Sequence, residues 1–150
     1  MKPLFRFLLR GRSEQSLLLH AMLCLWISRM GLWLFSFQNI QRYAAKLGKP
    51  PTTPCKTDLC RVDTIVWAVR AVTRYVPRAT CLTQALASQI LLSRRGHASR
   101  LHIGVARDEK EDFHAHSWLE SQGVIVLGGL DVAKYSPLMV LDTAGNQQAT

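Results

Sequence analysis

Acidic side chains are scarce in this chain: ten Asp and Glu stand against nineteen Lys and Arg in 150 residues, for a net charge of +9 and a pI near 10.0. Charge of either sign is also sparse, at 19% against 48% hydrophobic residues, so the chain is more apolar than an average soluble domain. No aromatic-interleaved basic run and no nucleic-acid signature occur between Arg6 and Arg107, which argues against a nucleic-acid partner. The charge reads instead as attraction to an acidic peptide, protein or membrane surface. Cys24, Cys55, Cys60 and Cys81 lack the regular spacing of a secreted disulfide framework, and a reducing cytoplasm fits them best. Cys55 and Cys60 lack the second pair that would complete a metal site, and no cofactor motif is present. There is no internal repeat, no low-complexity segment, and no small-residue cleavage site after the hydrophobic run, so a signal peptide is not expected. The length suits one domain's worth of core.

That hydrophobic run, residues 17–37, is long enough for a membrane span. Against a span stand His20 and Arg29, an arginine at mid-span costing about 2.5–3.5 kcal/mol on the insertion scale, and Gly31, which is expected to interrupt the helix. A buried or partner-covered helix, touching a membrane surface at most, is the favoured reading over a span. Gln38 to Gly48 would extend the helical segment until Pro50, Pro51 and Pro54 break it. The expected organisation is therefore an N-terminal helical segment with its proline-rich linker over 1–54 and a second domain over 55–150.

From Arg61 the residues Val62, Ile65, Val66, Val69, Val72 and Val76 form the apolar face of a helix that runs to Pro77, with Asp58 as its cap. Thr80 then caps a second helix, with Leu82, Ala85, Leu86, Ile90 and Leu92 at helical spacing and Arg94-Arg95-Gly96 closing it. The period then changes from 3.6 to 2. Leu101, Ile103 and Val105 alternate in one strand; a charged turn, Arg107 to Asp112, follows; Phe113 to Glu120 and Val124 to Leu127 read as two more strands joined across Ser121-Gln122-Gly123. A three-stranded antiparallel meander behind a helix is predicted, with Ala144 to Thr150 frayed.

Cys81 falls in the first turn of its helix. Unpaired N–H groups and the positive end of the helix dipole favour a thiolate there, the form that acts as nucleophile; the other reading is a small buried residue packed under the helix. A nucleophilic cysteine needs a base and a group to orient the base. On the strand Phe113 to Glu120, His114, His116, Trp118 and Glu120 share one face. Either histidine could serve; His116 is nearer mid-strand, with Trp118 placed to wall a pocket. Zinc is a rival use of His97, His102, His114 and His116 but lacks the usual ligand spacing. With a turn at Gln122, the residue across from His116 is near Gly128, and the Gly128-Gly129 pair permits a bend that would swing Asp131 back as the acid. Asp142 is the reserve and Asp112 belongs to a solvated turn. The N–H of Cys81, with Gln84 as second donor, could hold an oxyanion.

Three blocks carry a resemblance: Val76-Pro77 with Thr80-Cys81-Leu82 and Gln84-Ala85-Leu86-Ala87; Arg95-Gly96-His97 with Leu101-His102-Ile103-Gly104-Val105; and Ala115-His116-Ser117-Trp118-Leu119-Glu120 with Gly128-Gly129. Over roughly residues 60–140 the chain resembles the transglutaminase-like cysteine proteases of lasso peptide biosynthesis, the B2 proteins, homologous to the C-terminal domain of the microcin J25 processing protein. Ser117 stands where that family commonly has alanine. The resemblance implies a leader peptidase acting on a ribosomally made precursor peptide, with Cys81 and His116 catalytic and Asp131 as the acid. It implies as partners a separate leader-recognition B1 protein and an asparagine-synthetase-like macrolactam cyclase.

Together these readings predict an α+β, papain/transglutaminase-like core, a central helix packed on an antiparallel sheet, preceded by the hydrophobic segment. Two other functions remain open: acyl transfer to an amine by the same triad, and a non-catalytic membrane-associated scaffold working through residues 17–37. Cys81→Ala would leave the scaffold working and abolish either catalysis.

Overall fold

The computed structural model describes residues 12–36, 39, 42, 46, 59–107, 112–130, 132–142 and 147–149. The expected linker at 49–54, the cap Asp58, most of the 38–48 extension and the centre of the 107–112 turn lie outside these residues. Three helices, α1 (Arg12–Leu34), α2 (Leu59–Thr73) and α3 (Cys81–Arg94), pack on one antiparallel sheet of β1 (Arg100–Arg107), β2 (Phe113–Ser121), β3 (Val124–Leu127), β4 (Ser136–Asp142) and β5 (Gln147–Ala149), in the order β3-β2-β1-β4-β5.

The valine face of α2 is buried as its spacing predicts. The helix, however, stops at Thr73, short of the expected Pro77, because a proline drives the residue before it out of helical geometry and the chain leaves through turns, Tyr75 N–H to Val72 and Val76 N–H to Thr73. α3 is the central element. Ala85 to Ser93 are all buried, and the amide of Gln89, also buried, donates to the Leu141 carbonyl at 3.0 Å, tying helix to β4. Burying an amide is costly unless it is paired, and this one is.

Gly31 does not interrupt α1. The helix runs through it to Leu34, and Phe35 N–H bonds the Gly31 carbonyl at 2.8 Å. A helical glycine costs about 1 kcal/mol, which tertiary packing readily offsets. Leu17, Leu18, Ala21, Cys24 and Leu25 enter the same core as α2 and α3, so this helix is built into the domain.

The three predicted strands form with a tight β2–β3 turn at Gln122 (φ 53°) and Gly123 (φ 77°), two successive positive φ angles that match the twist of a hairpin. The meander is incomplete as an account of the sheet. β4 pairs with β1 on the side away from β2, and β5, within the tail expected to fray, pairs with β4 from Met139↔Ala149 to Leu141↔Gln147. Cross-strand neighbours Leu101, Leu119 and Leu141 enter the helical core. By strand alternation, His102, His116 and Trp118 belong to the reverse face.

Candidate active site

Thr80 is the N-cap of α3: its backbone is extended (φ −80°, ψ 169°), its Oγ1 accepts from Thr83 N–H at 3.3 Å, and its carbonyl accepts from Gln84 N–H at 3.1 Å. Cys81 is consequently the first helical residue, partly exposed, and the amides of Cys81 and Leu82 are the first-turn donors that the cap does not take up. Just upstream, Arg78 adopts φ 58°, a left-handed conformation uncommon outside glycine, in the turn that delivers the chain to the cap. Gln84 is half-buried one turn along the helix.

His116 lies on β2 opposite Gly104 of β1. Its Nε2 is 2.9 Å from the Gly128 carbonyl oxygen. A carbonyl only accepts, so Nε2 is the donor in this contact and Nδ1 is the lone-pair nitrogen of the neutral ring. The ring neighbours both Trp118 (centroids 6.3 Å apart, 24° between planes) and Tyr135 (5.1 Å, 36°). Trp118, buried, also stacks with His102 at 5.3 Å and 6°. Glu120 Oε2 approaches His102 Nε2 at 3.0 Å, an ion-pair distance but off the line of a hydrogen bond. Gly104 makes room for this stack: a Cβ there would sit 2.9 Å from Trp118 Cη2 and Cζ3.

Gly128 has φ 74°, and a Cβ on it would come within 2.7 Å of the Ser117 carbonyl oxygen. Only glycine fits this bend without a shift, and the bend is what turns its carbonyl toward His116. His114, two residues from His116 on the same face, is exposed.

The structure thus gathers His102, Trp118, His116, Tyr135 and Gly128 into one group. Cys81 begins α3, which packs on the Leu119 face of β2, the face opposite these rings; it makes no hydrogen bond with His116, and the structure does not bring the two together. Asp131, the expected acid, lies outside the described residues; Asp142 ends β4. Among the described residues no three of His, Cys, Asp and Glu are grouped to hold a metal ion. Sequence reasoning missed His102 and Tyr135 as members of the ring cluster. The period-2 pairing of β1 with β2 could have found His102 opposite Trp118, whereas Tyr135 depends on a loop that no local pattern specifies.

The profile of the transglutaminase-like superfamily matches residues 21–140. The chain belongs to that superfamily. Its match begins within α1 and ends within β4, so it takes in the larger part of α1, all of α2 and α3, and the sheet into its fourth strand. No curated protein and no solved structure matches the chain. Transglutaminase-like domains are commonly catalytic, as cysteine proteases or acyltransferases, and the central helix packed on an antiparallel sheet is their architecture here.

Proposed function

We propose that the chain is a transglutaminase-like cysteine peptidase that removes the leader from a ribosomally made lasso peptide precursor, ahead of macrolactam closure. The observation that carries the catalytic part is the placement of Cys81 as first residue of a capped central helix in a transglutaminase-like domain, with a strand histidine held through Nε2. The lasso assignment rests on the three sequence blocks.

In this reaction His116 Nδ1 takes the Cys81 thiol proton, and sulfur attacks the carbonyl carbon of the leader–core bond. The oxyanion is received by the N–H of Cys81, with Gln84 as second donor. His116 then protonates the leaving amine, the amine departs, and a thioester remains. Water, losing its proton to Nδ1, attacks the thioester and releases the leader acid and the thiol. The His116 ring lies on the sheet face away from α3, so the first step requires a rearrangement that carries Sγ and Nδ1 together when the precursor binds.

Orientation of the imidazole falls to the Gly128 carbonyl. Asp131 serves as the carboxylate that balances the imidazolium charge, and Trp118 backs the ring. The precursor peptide, the B1 recognition protein and the macrolactam cyclase are the proposed partners, in the cytoplasm.

Incubating the chain with a precursor peptide and its candidate recognition protein, with mass spectrometry for leader release, tests the reading. Cleavage by wild type and none by Cys81→Ala is expected. Equal cleavage by both would end the peptidase proposal, and an amide product in place of the acid would make the enzyme an acyltransferase.

A further inference from the structure

α1 is apolar on two opposite faces. Leu17, Leu18, Ala21, Cys24, Leu25 and Ser28 point into the core, whereas Leu19, Leu23, Trp26, Ile27, Met30 and Trp33 are exposed. At 100° per residue, the second set forms a single stripe turned about 180° from the first. The stripe runs from Leu19 past Trp33 to Leu34, roughly 22 Å at 1.5 Å per residue. Trp33 is 72% exposed and Leu19 62%, a large apolar outlay for a surface, and contiguous patches of this kind mark contact sites.

The helix is long and apolar enough to cross a bilayer, but its inner face is covered by α2 and α3, which carry the sheet. A helix held this way along its length offers lipid one side only. Its charge surroundings name the kind of surface. Residues 1–57 hold nine Lys and Arg against a single acidic residue, Glu14, so +8 of the net +9 belongs to the part of the sequence that contains the stripe. The remaining 93 residues are nearly balanced. An apolar stripe with tryptophans, within a strongly cationic segment, is the pattern of a helix that lies in a membrane interface and is drawn there by anionic headgroups.

We propose that the outer face of α1 docks the domain, in the membrane plane, on an anionic lipid surface. Leu19, Leu23, Trp26, Ile27, Met30 and Trp33 enter the headgroup–acyl boundary. The basic residues of 1–57 supply the long-range attraction. The proposal is independent of the catalytic reading, because it uses neither Cys81 nor His116.

Flotation of the full chain with lipid vesicles tests it. Binding to vesicles of phosphatidylcholine with about 30 mol % phosphatidylglycerol is expected, with weaker binding to phosphatidylcholine alone and loss at about 0.5 M salt. Tryptophan emission should shift to the blue on binding. The double variant Leu23→Gln, Trp33→Gln alters exposed positions only; it should keep the far-ultraviolet spectrum and melting temperature and lose binding by about tenfold or more. No binding to anionic vesicles at low salt, or equal binding to neutral ones, would overturn the proposal. So would a dimer in light scattering that the double variant converts to monomer, since a second copy would then be what covers the stripe.

Discussion

His116 Nε2 donates to the Gly128 carbonyl across 2.9 Å, so a backbone group of the next strand's exit holds the orientation of the candidate base. Side-chain carboxylates usually hold such an imidazole, and the two arrangements behave differently when the carboxylate is removed. With the carbonyl in place, Asp131→Asn should lower peptidase kcat by about tenfold, through lost charge stabilisation, whereas His116→Ala should cost about 10²–10⁴-fold. Nitrogen NMR of His116 should show the Nε2-protonated tautomer in both wild type and Asp131→Asn. A switch of tautomer in the variant would transfer the orienting role to the carboxylate.

Gly128→Ala attacks the same contact from the backbone. At φ 74°, with the new methyl 2.7 Å from the Ser117 carbonyl oxygen, the segment must move. A loss of about 1–3 kcal/mol in urea unfolding is expected, with a fall in kcat larger than any change in KM.

Thr80→Ala removes the side-chain acceptor for Thr83 N–H and should cost about 1 kcal/mol of stability by thermal or chemical unfolding. Thr80→Ser keeps an oxygen in the same place and should restore most of it. Because Cys81 follows directly, the alanine variant should also slow alkylation of the Cys81 thiol, read as the modification rate difference from a matched Cys81→Ala control.

Gly104→Ala should disturb the ring stack without touching the core. Its methyl would meet the far end of the Trp118 indole at 2.9 Å and the Ser136 carbonyl oxygen at 3.0 Å, so the indole must give way. A cost of about 1–3 kcal/mol is expected, against about 3–5 kcal/mol for Trp118→Ala, with near-ultraviolet circular dichroism reporting the movement.

Cys24 provides a pH test. Burial pushes its thiol up from the ordinary value, against the opposing pull of Arg94 and Arg95. The folded protein therefore keeps this proton at pH values where the unfolded chain has released it. Its contribution to stability is complete below the usual thiol range, around pH 8.5–9, and is lost as pH rises from there toward the folded-state value. Urea midpoints measured from about pH 8 to pH 10 should fall more steeply for wild type than for Cys24→Ala.

Local chemistry explains which parts of this structure are legible in the sequence. Thr80 and the spacing behind it define the start of α3 because a cap is settled within four residues. The Gln122-Gly123 turn and the alternation around it define β1 to β3. β4 is different: Ser136-Pro137-Leu138-Met139-Val140-Leu141 has no polar alternation and carries a proline at its second position, which argues against a strand, and its pairing with β1 is a long-range choice. Pro137 is tolerated at the start of β4, where the register with β1 shifts between Ile103 and Gly104. α1 shows no single polar stripe because both of its faces are apolar, so sequence could not say which one the core takes. Likewise, the nearness of Gly128 to His116 follows from hairpin register, but the carbonyl's turn toward the ring depends on a φ that only the folded backbone displays.

The parallel stacking of Trp118 on His102 gives the protein an internal optical reporter. The emission of an indole depends on its packing, and Trp118 is buried against His102 while Trp26, Trp33 and Trp67 are exposed and emit farther to the red. The blue edge of the fluorescence spectrum should therefore record any movement of the Trp118–His102 pair when a peptide binds, with no added label.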